Sequence, residues 1–145
     1  MKTLLLILLL TFAGNVAALD ECYTGSWYDP KRPGEGINIE VNSDVTVAYF
    51  YSFNEAGQQI WYSMLGDEYL AIEATAKLDD VDWVTKQVDI GVGVIEPITS
   101  TEINFRYNLL LEYVPEINDV VICEGDKCKG DFLYRRITQP IPCGK

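Results

Sequence analysis

The side chains with which this sequence could run a reaction are 22 acids and four cysteines, and no histidine accompanies them. Without an imidazole, the usual Ser-His or Cys-His nucleophiles cannot be assembled. Paired carboxylates of the glycoside-hydrolase kind are the remaining catalytic option. Most acids, however, fall on loops or on polar strand faces: Glu40, Glu73 and Glu112 all alternate outward. Asp79, Asp80 and Asp82 could face a hard cation, but the segment lacks the glycine and the closing bidentate Glu of an EF-hand loop. A non-catalytic protein without cofactor or metal is expected.

The stretch Gly25–Val41, GSWYDPKRPGEGINIEV, raises the question of a ligand-cradling loop. Pro30 and Pro33 fix φ, and Gly34 and Gly36 flank Glu35. A phosphate cradle needs a helix to follow, whereas Ile37, Ile39 and Val41 read as a strand. The stretch is read as architecture, a turn or bulge that launches a strand, with Glu35 as its one acid-base candidate. The aromatics offer more. In YSFNEAGQQIWY, residues 51–62, Gly57 suits the left-handed position of a three-residue hairpin loop. Pairing Asn54 with Gln58 then sets Tyr51 opposite Trp61 and Phe50 opposite Tyr62. Both faces of this hairpin carry rings. One must be core. The other is packed as core by partner strands in its turn, as aromatics most often are, or it is a stacking platform for a sugar or small ligand, or a cavity lining.

The elements that must hold these residues follow period two. Ile37, Ile39 and Val41 alternate with Asn38, Glu40 and Asn42; Val45, Val47, Tyr49, Tyr51 and Phe53 alternate with smaller or polar residues, apart from Phe50. Leu70 to Leu78, then Val88, Ile90, Val92 and Val94, then Ile103 to Leu111 continue the pattern. Such alternation, rich in β-branched and aromatic residues, predicts antiparallel strands, and no window holds a helical period. Residues 79–82 and 114–119 read as loops, and the tail after Ile137, with Pro140 and Pro142, as an irregular surface run. The fold class is all-β: an antiparallel barrel or sandwich of seven or eight strands. A barrel has the advantage of removing long apolar edges.

Residues 1–18 read as a signal peptide: Lys2, an apolar run from Leu4 to Phe12, and small residues at Val16-Ala17-Ala18. The run is shorter than the roughly 20 residues of a membrane span. Residues 19–145 then form one secreted or periplasmic domain, with no membrane contact after cleavage. A net charge of −11 argues against nucleic acid and anionic lipid as partners. In an oxidising compartment Cys22, Cys123, Cys128 and Cys143 suggest two disulfides, for which three connectivities exist. Spacing favours Cys123 with Cys128 across a turn and Cys22 with Cys143 as a clamp on the chain ends.

Three segments, GSWYDPKRPGEGINIEV, AYFYSFNEAGQQIWYSMLG and GDFLYRRITQPIPC, resemble a domain of exported bacterial proteins. Its pattern joins Gly-x-Trp-Tyr-x-Pro, Gly-x-Gly, an aromatic hairpin and a closing Leu-x-Arg strand before a terminal Cys. The resemblance implies a secreted β-domain with no established activity. Gly25-Ser26-Trp27 and the Arg135-Arg136 pair are also similar to avidin- and lipocalin-like barrels. In those a basic residue of the last strand packs over the first-strand Trp, which would make Trp27 and Arg135 or Arg136 structural. The functional expectation is a binding module for an unknown small molecule, glycan or protein, with Tyr51, Trp61, Phe50 and Tyr62 as candidate ligand-binding residues. An inhibitor or adhesion domain working by protein contact is the alternative, followed by a carboxylate-paired hydrolase.

Overall fold

A computed structural model describes residues 19–53, 57, 59–77, 85–110 and 125–143. Eight strands, β1 (Gly25–Tyr28), β2 (Gly36–Asn42), β3 (Val45–Phe53), β4 (Gln59–Gly66), β5 (Leu70–Lys77), β6 (Thr85–Thr99), β7 (Glu102–Leu109) and β8 (Lys129–Arg136), follow one another around a closed antiparallel barrel. Each strand pairs with its neighbours in sequence, and β8 returns to β1 through Trp27 opposite Arg136 and Tyr28 opposite Arg135. Among the described residues closure leaves no edge strand to template aggregation, and it decides between the barrel and the sandwich. The expected loops at 79–82 and 114–119 lie outside the described residues, as does Glu112.

Inward positions carry the core. Trp27, Ile37, Met64, Leu70, Ile72, Ile103, Phe105 and Tyr134 are almost completely buried, and each such side chain contributes roughly 1.5–3 kcal/mol. Two strands depart from the simple period. In β6 the partner of Ile72 is Gly91 and that of Glu73 is Asp89, so Ile90 is an extra residue. This bulge switches faces. Val88 and Ile90 belong to the interior, as the alternation suggests, but Val92 lies exposed and Ile95 is buried instead. The second departure is β3. Its smaller set, Thr46, Ala48 and Phe50, is buried, while Val45, Tyr49 and Phe53 of the larger apolar set are each more than 40 % exposed. A one-residue slip would reverse this. The registry with β4 forbids it, because Phe50 meets Tyr62 and Tyr51 meets Trp61 as the hairpin pattern requires.

The two barrel ends are closed differently. Ahead of β1, a short 3-10 turn (Glu21–Tyr23) is tied to the tail by the Cys22–Cys143 disulfide, with Cα atoms 4.7 Å apart. Beneath it the Arg136 guanidinium lies 5.0 Å from the centre of the Trp27 ring and donates to the carbonyls of Cys22 and Thr24 at 2.8 and 2.6 Å. Trp27 in turn donates its indole N–H to the Tyr23 carbonyl at 3.2 Å. Arg136 is thus the basic residue over the first-strand Trp, whereas Arg135 points outward to Glu102 at 3.6 Å. Cys128 is buried and disulfide-bonded; Cys123 lies outside the described residues. The opposite end is covered by residues 29–35.

Candidate functional site

The outer face of β2, β3 and β4 is where the fold leaves aromatic surface unspent. Tyr49 and Trp61 are 41 % and 50 % exposed, with ring centres 6.2 Å apart and planes tilted by 59°. Tyr51, half-buried and opposite Trp61 in the β3–β4 register, accepts through its hydroxyl from the Asn38 amide at 3.3 Å. Tyr28 and Phe53, 40 % and 44 % exposed, continue the apolar surface toward the 29–35 end. Beside the rings runs an open groove of about 370 Å³, whose walls include Ser26, Asn38, Glu40, Val47 and Tyr49. Aromatic faces next to amide, hydroxyl and carboxylate groups can stack on one side of a flat ligand and hydrogen-bond its rim.

Phe50 and Tyr62 do not share that surface. They stack on each other inside the barrel with ring centres 6.0 Å apart, and Phe50 packs further against Phe105 and Tyr107 at 5.2 and 5.5 Å. Burial raises the Tyr62 phenol far above its ordinary range, with Tyr107 adding to the shift. Ligand-binding candidates on both faces therefore reduce to one face: Tyr51 and Trp61 meet solvent, and Phe50 and Tyr62 are core. Gly57 has φ +74°, the left-handed conformation the hairpin loop requires.

A second constellation sits in the loop read from sequence as plain architecture. Asp29 and Glu35 flank it, joined by the Asp29 N–H to the Glu35 carbonyl at 3.5 Å, and Arg32 at its tip turns back into the barrel end. Arg32 Nε donates to Asp29 Oδ2 at 2.7 Å and Nη2 to the Tyr134 hydroxyl at 3.2 Å. Its Nη1 lies 2.6 Å from Glu35 Oε2, but off a hydrogen-bonding line, so that this shielded oxygen is held by charge alone. The other Glu35 oxygen accepts from Ser52 Oγ at 3.1 Å. The guanidinium carbon rests 3.3 Å from the centre of the Phe132 ring. Burial pushes the Asp29 carboxyl upward, but the Arg32 and Lys31 hydrogen bonds and charges prevail and hold it below the usual carboxylate range. Burial raises Tyr107 and Tyr134, against the opposing charge of Arg32.

Sequence reasoning weighed Glu35 here and missed Asp29 and Arg32. The available signal was an acid, a base and an acid at three-residue spacing inside a proline-bracketed turn. Their aromatic partners lie about a hundred residues away. Among the described residues, the group that brings three ligand-type side chains together is Asp20, Cys22 and Cys143, whose sulfurs are spent on the disulfide. Asp79, Asp80 and Asp82 lie outside the described residues. No described helix is long and apolar enough to cross a membrane.

No family model, no curated protein and no solved structure matches this chain. Function has to be read from the surface itself.

Proposed function

We propose that this protein is a non-catalytic binding module, exported from the cytoplasm, that holds a carbohydrate on the outer face of β2–β4. The observation that carries this reading is the outward-facing large set of β3. The interior is already filled by Phe50, Tyr62, Phe105, Tyr107 and Tyr134, so folding gains nothing from exposing Tyr49, Phe53 and Trp61. Exposed apolar surface of this extent marks a contact site. The kind of contact follows from its chemistry. Tyr49 and Trp61 offer ring faces to the C–H face of a sugar, and the groove beside Tyr49 adds the hydrogen-bonding groups of Ser26, Asn38 and Glu40. The net charge of −11 favours neutral over anionic polysaccharides. A disulfide between the chain ends suits an oxidising compartment.

Protein contact is the second reading, and a specific feature favours it. Val45, Phe53 and Leu65 extend the same face with purely apolar surface, each more than 40 % exposed, and apolar side chains of that kind fit a protein partner better than a sugar. A glycan array probed with the mature chain, followed by calorimetry with the strongest oligosaccharide, tests the first reading. Binding that falls at least tenfold in Trp61→Ala, with an unchanged melting temperature, supports it. An array without any glycan response refutes it and leaves the protein-contact reading standing.

A further inference from the structure

The Arg32 constellation lies at the barrel end and is independent of the outer aromatic face. Its parts differ in how they are fixed. Asp29 follows β1 directly and Glu35 precedes β2 directly, so both carboxylates are anchored by strand ends whose backbones are bonded across the base of the loop. Ser52 belongs to β3, Tyr107 to β7, and Phe132 and Tyr134 to β8. Only residues 30–34 form the excursion that carries Arg32, bounded by Pro30 at one side and by Pro33 and Gly34 at the other. Without the Arg32 side chain, the barrel end presents two anchored carboxylates, a phenol and the face of Phe132. One of those carboxylate oxygens is shielded and unmet by a directed hydrogen bond.

This arrangement is complementary to a planar cation. Carboxylates accept from its edges and an aromatic ring covers its face, the pairing that separates guanidinium from a compact ammonium. Access exists from outside. The Arg32 side chain is 26 % exposed, while those of Asp29 and Glu35 are 5 % and 14 % exposed. The cage thus lies behind its occupant and opens to solvent along it.

We propose that this barrel end is a recognition site for a guanidinium group, self-occupied by Arg32, and that its external ligand is a guanidino compound or an arginine side chain presented by a peptide. Arg32 competes as an intramolecular ligand. A tethered group has an effective concentration of millimolar order. The Arg32 backbone stays bonded to Asp29 and Glu35 at 3.1 Å each, so external binding needs only the side chain to leave, and affinity scales with the fraction of molecules in which it has.

The test compares the wild-type chain with Arg32→Ala and Arg32→Gln, each titrated with N-methylguanidinium, with methylammonium at equal ionic strength, and with a blocked Gly-Arg-Gly peptide. Calorimetry and the ring resonances of Phe132 and Tyr134 are the readouts. Saturable N-methylguanidinium binding in the variants, at least tenfold tighter than in wild type and tighter than methylammonium, supports the site, and the same ring resonances should shift. Binding of the peptide as well points to a presented arginine; binding of N-methylguanidinium alone points to a free guanidino compound. Absence of saturable binding in the variants, or equal affinity in wild type and variants, overturns the proposal. Where a variant does not fold alone, refolding in N-methylguanidinium must restore the native near-UV spectrum. Failure to do so overturns the proposal equally.

Discussion

In the β3–β4 register Tyr51 sits opposite Trp61 and Phe50 opposite Tyr62, yet the barrel gives the two pairs opposite fates. Replacing Tyr51 and Trp61 together by Ala should leave the melting temperature within a few degrees of wild type, since Trp61 is 50 % exposed. Replacing Phe50 and Tyr62 should cost several kcal/mol, because a core Phe→Ala alone costs about 3–5. Paired thermal melts check this, and a large loss in the first variant would contradict the surface assignment. At the barrel end, Asp29 is held below its ordinary pKa chiefly by Arg32 and by the Lys31 amide, against its burial. A lowered folded-state pKa contributes stability above the unfolded value, about 3.9, and loses it as pH falls through the folded value. Asp29→Asn should therefore destabilise by about 1.5–3 kcal/mol at neutral pH, the range of a charged hydrogen bond. Denaturant titrations should show the gap to wild type closing below about pH 4; a gap constant with pH would deny the ion pair its role.

Among elements, the β3–β4 hairpin was the most legible in sequence. Gly57 and the spacing of the rings fixed both register and pairing, because a hairpin is a local object set by its turn. Which face would be core was not legible, since both faces carry aromatics and the answer depends on the strands brought alongside. The bulge at Ile90 was hidden for a related reason: Val88, Ile90, Val92 and Val94 keep a clean period in sequence, and only pairing with β5 reveals the extra residue. In the sequence the 29–35 loop shows only its turn chemistry. Its partners, such as Tyr134 at a separation of 102 residues, belong to the last strand. For the hairpin turn itself, Gly57→Val should cost about 1–3 kcal/mol. No atom of the described residues lies within 4 Å of the position a Cβ would take, so the expected cost is one of backbone conformation. Chemical denaturation of that variant checks the value, and a neutral result would place the turn in another conformation.

At the scale of the molecule, the barrel is an aromatic interior sealed at both ends by arginines, Arg136 over Trp27 and Arg32 over Phe132. Burial raises the phenols of Tyr62, Tyr107 and Tyr134 above their ordinary value. A raised folded-state pKa contributes stability that is complete below the unfolded value, about 10 for tyrosine, and is lost as pH rises beyond it. Above about pH 10 the unfolding free energy should fall by up to about 1.4 kcal/mol per pH unit for each such phenol. Absorbance of tyrosinate followed through alkaline unfolding measures it; ionisation of these three in the folded protein near pH 10 would contradict the packed interior. Outside the barrel, the face bearing Tyr49, Tyr51 and Trp61 is what the interior left over, and the glycan-binding reading rests on it. The most direct test is the emission of Trp61, isolated as the difference between wild type and Trp61→Phe, during titration with the strongest-binding oligosaccharide. The account predicts a saturable blue shift and protection from acrylamide quenching, with the midpoint found by calorimetry. An unchanged Trp61 emission while calorimetry reports binding would place the ligand elsewhere and contradict it.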